Sequence, residues 1–299
     1  MPHIIQKKIS RKSFLVKSFK IGGAIATWGV VYEYTLADNK QNPVHLALLS
    51  DTHVKAYQNE QYRGFFPAKN FEVVIEQVSK AKPESMIING DIARLEGELG
   101  DYTAISQHLA ALDEHIPIFM TLGNHDRRSN FFNIFGGSFE GSQEVQNKHV
   151  LVIEYPWVRF ILLDSLMYVN KTPGLLGNTQ RMWLEKYLEH SDKKPVFLFV
   201  HHTLNDGDSD LLDVDRLYNI ILPHKKVKAI FYGHSHIYKI TEKHKLKLIN
   251  LPAVGYNFID SQPIGWIEAN ISPESGLFTL HAIGGNMEKD EEITELKWR

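Results

Sequence analysis

Residues 121–128 read TLGNHDRR and close an apolar run, residues 116–122, with the length and composition of a buried strand. Gly123 permits a sharp exit from that strand. The next three residues set an amide (Asn124), an imidazole (His125) and a carboxylate (Asp126) side by side. Polar groups in a row at the end of a buried strand make either a turn or a site, and this stretch alone does not decide between them.

Four other apolar runs end in the same way. VHLALLS (44–50) leads into Asp51-Thr52-His53, and SMIING (85–90) into Asp91. PVFLFV (195–200) leads into His201-His202, and KVKAIFY (226–232) into Gly233-His234-Ser235-His236. Between these runs lie helical patterns at 69–82, stopped by Pro83, at 102–115 with Asp101 as its cap, at 179–190 and near 211–222. This alternation predicts an α/β domain with a largely parallel sheet. Runs at 149–155 and 157–164 flank Pro156 and predict paired strands, while short strand-like segments at 237–283 predict a second sheet. The domain is expected over 44–285, with 286–299 as a charged C-terminal tail.

In open α/β sheets, ligands gather beyond the carboxyl ends of the strands, so five such ends can share one crevice. Their carboxylates, imidazoles and amide oxygen are hard to borderline ligands, suited to Mn, Fe or Zn. Asp51 and His53, two apart on an extended chain, project to one side and can chelate one ion. Asp91 has two oxygens and can bridge two ions, and Asn124 adds a neutral oxygen. Two ions about 3.5–4 Å apart can activate water and clamp both oxygens of an in-line phosphoryl displacement. Taken singly the signals are weak: Asp-x-His is a common accident, Gly-Asp is usually a turn, and His201-His202 could be a core pair. The conjunction of five, each at a strand end, is what points to a site.

In this order Asp51/His53, Gly90/Asp91, Gly123–Asp126, His201 and Gly233–His236 resemble the calcineurin-like metallophosphoesterases, over about residues 44–260. The resemblance implies a two-sheet sandwich flanked by helices, a four-layer αββα architecture with two divalent metals at one edge. It assigns Asp51, His53, Asp91 and His236 to one metal, and Asp91 (bridging), Asn124, His201 and His234 to the other. His201 is chosen over His202 because similar proteins use the first His of a His-His-Pro run, although Thr203 replaces the Pro here. His125 is implied to face the scissile phosphate, with Asp126 either orienting it or tying down the turn. Several relatives pair this histidine with an Asp at the position of Arg94, which leaves its partner unassigned, with Glu96 and Glu98 nearby. Arg94, Arg127 and His202 are candidate substrate contacts. The implied activity is hydrolysis of phosphodiesters or phosphomonoesters by in-line attack of a metal-bound hydroxide, with small diesters such as cyclic nucleotides or glycerophosphodiesters fitting better than a protein-phosphatase role. A non-catalytic metal-binding scaffold on the same fold is the alternative.

Composition narrows the remaining classes. The chain has 299 residues, 43% hydrophobic and 23% charged, with 15 histidines and no cysteine, which excludes disulfides, thiolate zinc sites and a cysteine nucleophile. Residues 1–20 carry six Lys/Arg and no acid, leaving −8 on the rest, so specific nucleic-acid binding through a basic face is not expected. That basic stretch precedes the apolar run IGGAIATWGVVY, and Ser10–Leu15 is similar to a twin-arginine export motif with Lys12 in place of the second arginine. Residues 1–37 are therefore expected to be an export signal cut near Ala37, or a membrane tether, which places the domain in the periplasm; an amphipathic helix on a cytoplasmic protein is the other reading. Residues 205–215 suggest a calcium loop, but Leu211 and Leu217 stand where its Gly and Glu belong.

Overall fold

The computed structural model describes residues 33–35, 43–57, 59–136, 145 and 147–299. The chain runs β1 (Glu33–Thr35), β2 (Val44–Leu49), α1 (Pro67–Ala81), β3 (Ser85–Asn89), α2 (Leu99–Leu109), β4 (Ile118–Thr121), α3 (Arg128–Phe135), β5 (Leu151–Glu154) and β6 (Arg159–Leu162). It continues through α4 (Asn178–His190), β7 (Val196–Phe199), α5 (Val214–Ile221), β8 (Val227–Tyr232), β9 (Lys239–Lys243), β10 (Leu246–Asn250), β11 (Pro263–Ile271), β12 (Ser275–Gly285) and β13 (Ile293–Lys297). Apart from β1, which pairs parallel with β5, the expected export segment lies outside the described residues. Among the described residues no helix is long and apolar enough to cross a membrane.

The unbroken apolar runs of the sequence follow from burial on both faces of each strand. In β2, Leu46 and Leu48 face the other sheet while Ala47 and Leu49 face α1 and α2. In β7, Phe197 and Phe199 point between the sheets while Val196 and Leu198 meet α4 and α5. The result is four layers, helices–sheet–sheet–helices. Phe199 and Phe231 stack at 4.6 Å in the middle layer. α1 presents Phe71, Val74, Ile75 and Val78 at helical spacing to its sheet. It stops where Lys82 turns left-handed (φ 52°) ahead of Pro83.

The two sheets have the orders β1-β5-β6-β7-β8-β10-β9 and β13-β12-β11-β2-β3-β4. The first is largely parallel, as the helical alternation suggests, with only β5–β6 and β9–β10 antiparallel. The second joins the parallel trio β2, β3 and β4 at one end to antiparallel β11, β12 and β13, and the late strands divide between the two sheets rather than forming a sheet of their own. Three expectations about ends are also corrected. α2 begins after Glu98 and ends at Leu109; Asp101 sits one turn in, where its buried carboxylate accepts from Ala56 N at 3.0 Å. α5 begins only at Val214, because Asp213 accepts from the backbone of Leu176 and Gly177 and pairs with Arg181. Residues 286–299 are no tail. β13 pairs antiparallel with β12, Trp298 meets Phe197 edge-on at 5.0 Å, and Arg299 donates to the carbonyls of Ile221, His224 and Val227.

β2, β3 and β4 are parallel neighbours at one end of their sheet, and β7 and β8 are parallel neighbours in the other. The sandwich thus holds five strand ends in fixed register at one edge. Because Phe199 sits between the sheets beneath that edge with no exposure, Phe199→Ala is expected to lower the unfolding free energy by about 3–5 kcal/mol, read from urea unfolding of purified protein.

Candidate metal centre

Three of the five strand ends, those of β2, β3 and β8, leave the sheet through a backbone most residues avoid. Asp51, His53, Asp91, His234 and His236 all have positive φ, between 45° and 69°. The left-handed turn, not an extended chain, brings Asp51 and His53 to the same side, which corrects the geometry expected for that pair. Space is made by glycine. A Cβ on Gly123 would collide with Asp91 Oδ1, and one on Gly233 with Ser50 Oγ and Asp51 Oδ2. Gly90 combines a φ of +80° with a Cβ position 2.6 Å from His201 Nδ1.

The seven candidate ligands converge. Asp51, His53 and His236 form one group that could hold an ion, and Asp91, His201 and His234 form another. Asp91 stands between them. Its Oδ1 accepts from His125 N at 2.8 Å, while Oδ2 lies 3.3 Å from His201 Nε2 and 3.8 Å from His53 Nε2. Asn124 is buried, with an Oδ1 that has no hydrogen-bond partner.

Tautomers make the case for a cation. His53 Nδ1 faces the Arg94 carbonyl at 3.4 Å, and His236 Nδ1 faces that of Tyr256 at 2.6 Å. Both rings are therefore set to donate from Nδ1, which leaves the two Nε2 lone pairs facing each other at 3.1 Å, with Asp51 Oδ1 3.3 Å from His236. Two lone pairs and a carboxylate pointed at one spot are stable only around positive charge. His201 is set alike, with Nδ1 on the Asn89 carbonyl at 2.8 Å and its Nε2 buried without a hydrogen bond. His234 is held from the other nitrogen, Nε2 to Ser209 O at 3.1 Å, leaving Nδ1 to face inward. Acceptors of this kind fix metal-ligating imidazoles in one orientation. The donor set fits divalent ions.

Electrostatics agree. Burial pushes Asp51 and Asp91 upward, but nearby imidazoles, His201 first among them, outweigh it and hold both well below the usual carboxylate range. Burial pushes His201 down, yet Asp91 and Asp51 carry it up to about 10. Burial drives His53 well below its ordinary value and His234 down to about 4. In the metal-free site His201 therefore keeps its proton.

Residues 44–238 match the model of the calcineurin-like phosphoesterase family. The chain belongs to that family. It is 28% identical over 232 residues to the glycerophosphodiester phosphodiesterase GpdQ of Enterobacter lignolyticus, covering 73% of this chain and 81% of the relative. It is 26% identical over 270 residues to the 3',5'-cyclic adenosine monophosphate phosphodiesterase CpdA of Vibrio vulnificus, covering 84% and 91%. A dimetal phosphatase from Danio rerio shares the fold, with a TM-score of 0.67 at 17% identity over 86% of this chain and 100% of that one.

In this calcineurin-like phosphoesterase, His125 is held by neither Asp126 nor an acid of the 94–98 loop. Its Nδ1 meets the Leu95 carbonyl at 3.0 Å, which turns Nε2 toward Asp91 Oδ2 at 4.0 Å. Asp126, a candidate catalytic group, points away from the site. Its carboxylate accepts from the backbone of Ile92, Ala93 and Gly123 and from Tyr102 OH, lacing the turn after β3 to the turn after β4. Arg127 donates to the Glu96 carbonyl and lies 3.5 Å from the Glu96 carboxylate, and Arg128 forms a bidentate pair with buried Asp164, so neither faces the cluster. His202 is fully buried behind His234, ring to ring at 4.8 Å, with Ser165 Oγ on its Nδ1 at 2.7 Å; it backs a ligand and has no exposure to substrate. Arg94 stays near the centre, beside His53. Residue types gave no sign of Tyr102, Leu95, Ser209 and Tyr256, of which the last three act through backbone carbonyls that any residue type supplies.

Two outcomes follow from this geometry. Asp126→Ala leaves three buried N–H groups without an acceptor and is expected to lower the unfolding free energy by about 3 kcal/mol or more, measured by denaturant titration. Loading the metal-free protein at pH 7.5 is expected to release about one proton per chain, because His201 holds it below pH about 10 and must lose it to ligate. Titration calorimetry in buffers of different ionisation enthalpy reads that proton, and the release fades as pH rises past about 10.

Proposed function

We propose that this chain is a binuclear metal-dependent phosphodiesterase acting on small, soluble phosphodiesters. The observation that carries it is the pair of inward-facing imidazole lone pairs on His53 and His236, 3.1 Å apart, beside an Asp91 carboxylate shared between two ligand groups. Asp51, His53, Asp91 and His236 would hold one divalent ion, and Asp91, Asn124, His201 and His234 the other, with Mn, Fe or Zn suited to these donors. When bound, such ions lower the pKa of water and neutralise charge on phosphoryl oxygens.

The chain's own residues supply the rest. His125, fixed through Nδ1 by a backbone carbonyl, presents Nε2 to the crevice with its side chain 17% exposed. With Nδ1 donating to that carbonyl, Nε2 donates to a phosphoryl oxygen or passes a proton to the leaving alkoxide only when the ring is doubly protonated; the neutral ring accepts there. Asp126 keeps the His125 turn at a fixed distance from Asp91. A diester fits the charge inventory better than a monoester: with Arg127 and Arg128 held by Glu96 and Asp164, few cations remain for a dianionic phosphoryl group. The diesterase names of the curated relatives point the same way.

The test is hydrolysis of bis(p-nitrophenyl) phosphate by protein loaded with Mn²⁺. Turnover is expected in the wild type and is abolished in Asp91→Ala together with bound metal. In His125→Ala, kcat is expected to fall by about 10²-fold or more while elemental analysis still finds the metal. A metal-loaded wild type that turns over no diester would overturn the reading and leave a metal-binding scaffold.

A further inference from the structure

Beside His53 lies a cavity lined by Lys55, Tyr57, Glu60, Tyr62 and Arg94. At its floor is a cation that lacks a hydrogen-bond partner on its inner nitrogen. Arg94 is only 5% exposed, and its Nε is buried with no hydrogen-bond acceptor. Its guanidinium lies 4.0 Å from the centre of the Tyr62 ring and 5.6 Å from that of Tyr256. Glu60 forms an ion pair with it but no hydrogen bond. One carboxylate oxygen is 2.6 Å from Lys55 Nζ, while the other stands 3.7 Å from Arg94 Nε, beyond hydrogen-bond reach. Tyr256 in turn packs on His53 at 4.8 Å, so the cavity adjoins a candidate metal ligand directly.

A buried guanidinium is costly unless acceptors meet its donors. Stacking on Tyr62 fixes the plane of the fork but gives it no acceptor, and a planar fork suits the two oxygens of a carboxylate or phosphate. Among the side chains that line the cavity, Lys55 and Arg94 outnumber Glu60 by one charge, with Asp101 and Glu98 also acting on Lys55, in a chain whose residues 21–299 carry −8. We propose that this cavity is a subsite for a second anionic group, a carboxylate or a phosphate, carried by the alcohol portion of a diester whose scissile phosphoryl lies at the metal centre. The inference rests on the phosphodiesterase reading and narrows it to diesters with a second negative charge. A substrate without that group leaves the fork unsatisfied, which turns one interaction into discrimination.

Matched substrates test it on the metal-loaded chain. Glycerophosphoserine differs from glycerophosphoethanolamine by one carboxylate, and 5'-phosphorylated TpT differs from TpT by one phosphate. The wild type is expected to favour the charged member of at least one pair by about tenfold in kcat/KM, mostly through KM, and which pair responds tells carboxylate from phosphate. That ratio should collapse toward one in Arg94→Gln and be partly restored in Arg94→Lys. A readout without turnover is thermal stabilisation of the wild type by the product analogues O-phosphoserine and O-phosphoethanolamine, with phosphoserine expected to stabilise more if carboxylate is the group read. Equal handling of both members of both pairs by the wild type, or an unchanged ratio in Arg94→Gln, overturns the subsite. Failure of the wild type on bis(p-nitrophenyl) phosphate as well would instead count against the phosphodiesterase reading itself.

Discussion

At the edge of the sandwich, an almost fully buried carboxylate, Asp91, is held ionised among imidazoles. Removing a carboxylate from water is expensive unless positive charge and hydrogen bonds replace the solvent. One oxygen is met by the backbone N–H of His125, the other by the ring of His201, which keeps its proton up to about pH 10 for this reason. The neighbouring features serve the same requirement. Glycines at 90 and 123 leave room for that carboxylate and the His201 ring. Left-handed backbone at five ligand positions aims side chains inward at a strain of order 1 kcal/mol or more each, which the sheet ladders beneath them hold in place.

That strain is tolerable only on a stiff support, and the four-layer packing supplies one. Both faces of β2, β3, β7 and β8 are buried, so a strand cannot slide or rotate without exposing a row of apolar side chains. The outer nitrogens of His53, His201, His234 and His236 are fixed by main-chain carbonyls rather than by flexible acids. Metal affinity is thereby tied to the fold itself: whatever shifts Asn89 or Tyr256 also rotates a ligand.

Much of this was legible in residue types. Buried strands ending in Asp, Asn, His and Gly can be read without coordinates, because the chemistry lies in side chains and the spacing is local. The burial of Asp126 was harder to foresee. Asp126 sits beside His125 in sequence, yet on a tight turn adjacent side chains point apart, and Asp126 faces backbone amides of another loop. The carbonyls of Leu95, Ser209 and Tyr256 carry no residue-type signal at all. The C-terminal strand was hidden for a related reason: KDEEITELK reads as a solvated charge run, and only Trp298 and Arg299, anchored on Phe197 and the end of α5, show that it is an edge strand.

Position 94 shows how one substitution can redistribute these roles. The family resemblance implies an aspartate there, paired with the histidine that faces phosphate. An aspartate in this site would add a negative charge beside Asp51 and Asp91, both already buried. Arginine changes the local charge by two in the opposite direction and leaves the histidine without a carboxylate. The next residue compensates, since the Leu95 carbonyl fixes the His125 tautomer while adding no net charge. The guanidinium lies against Tyr62 in the cavity beside His53. Orientation of the histidine thus falls to a backbone carbonyl, and the side chain at 94 is left to line the cavity.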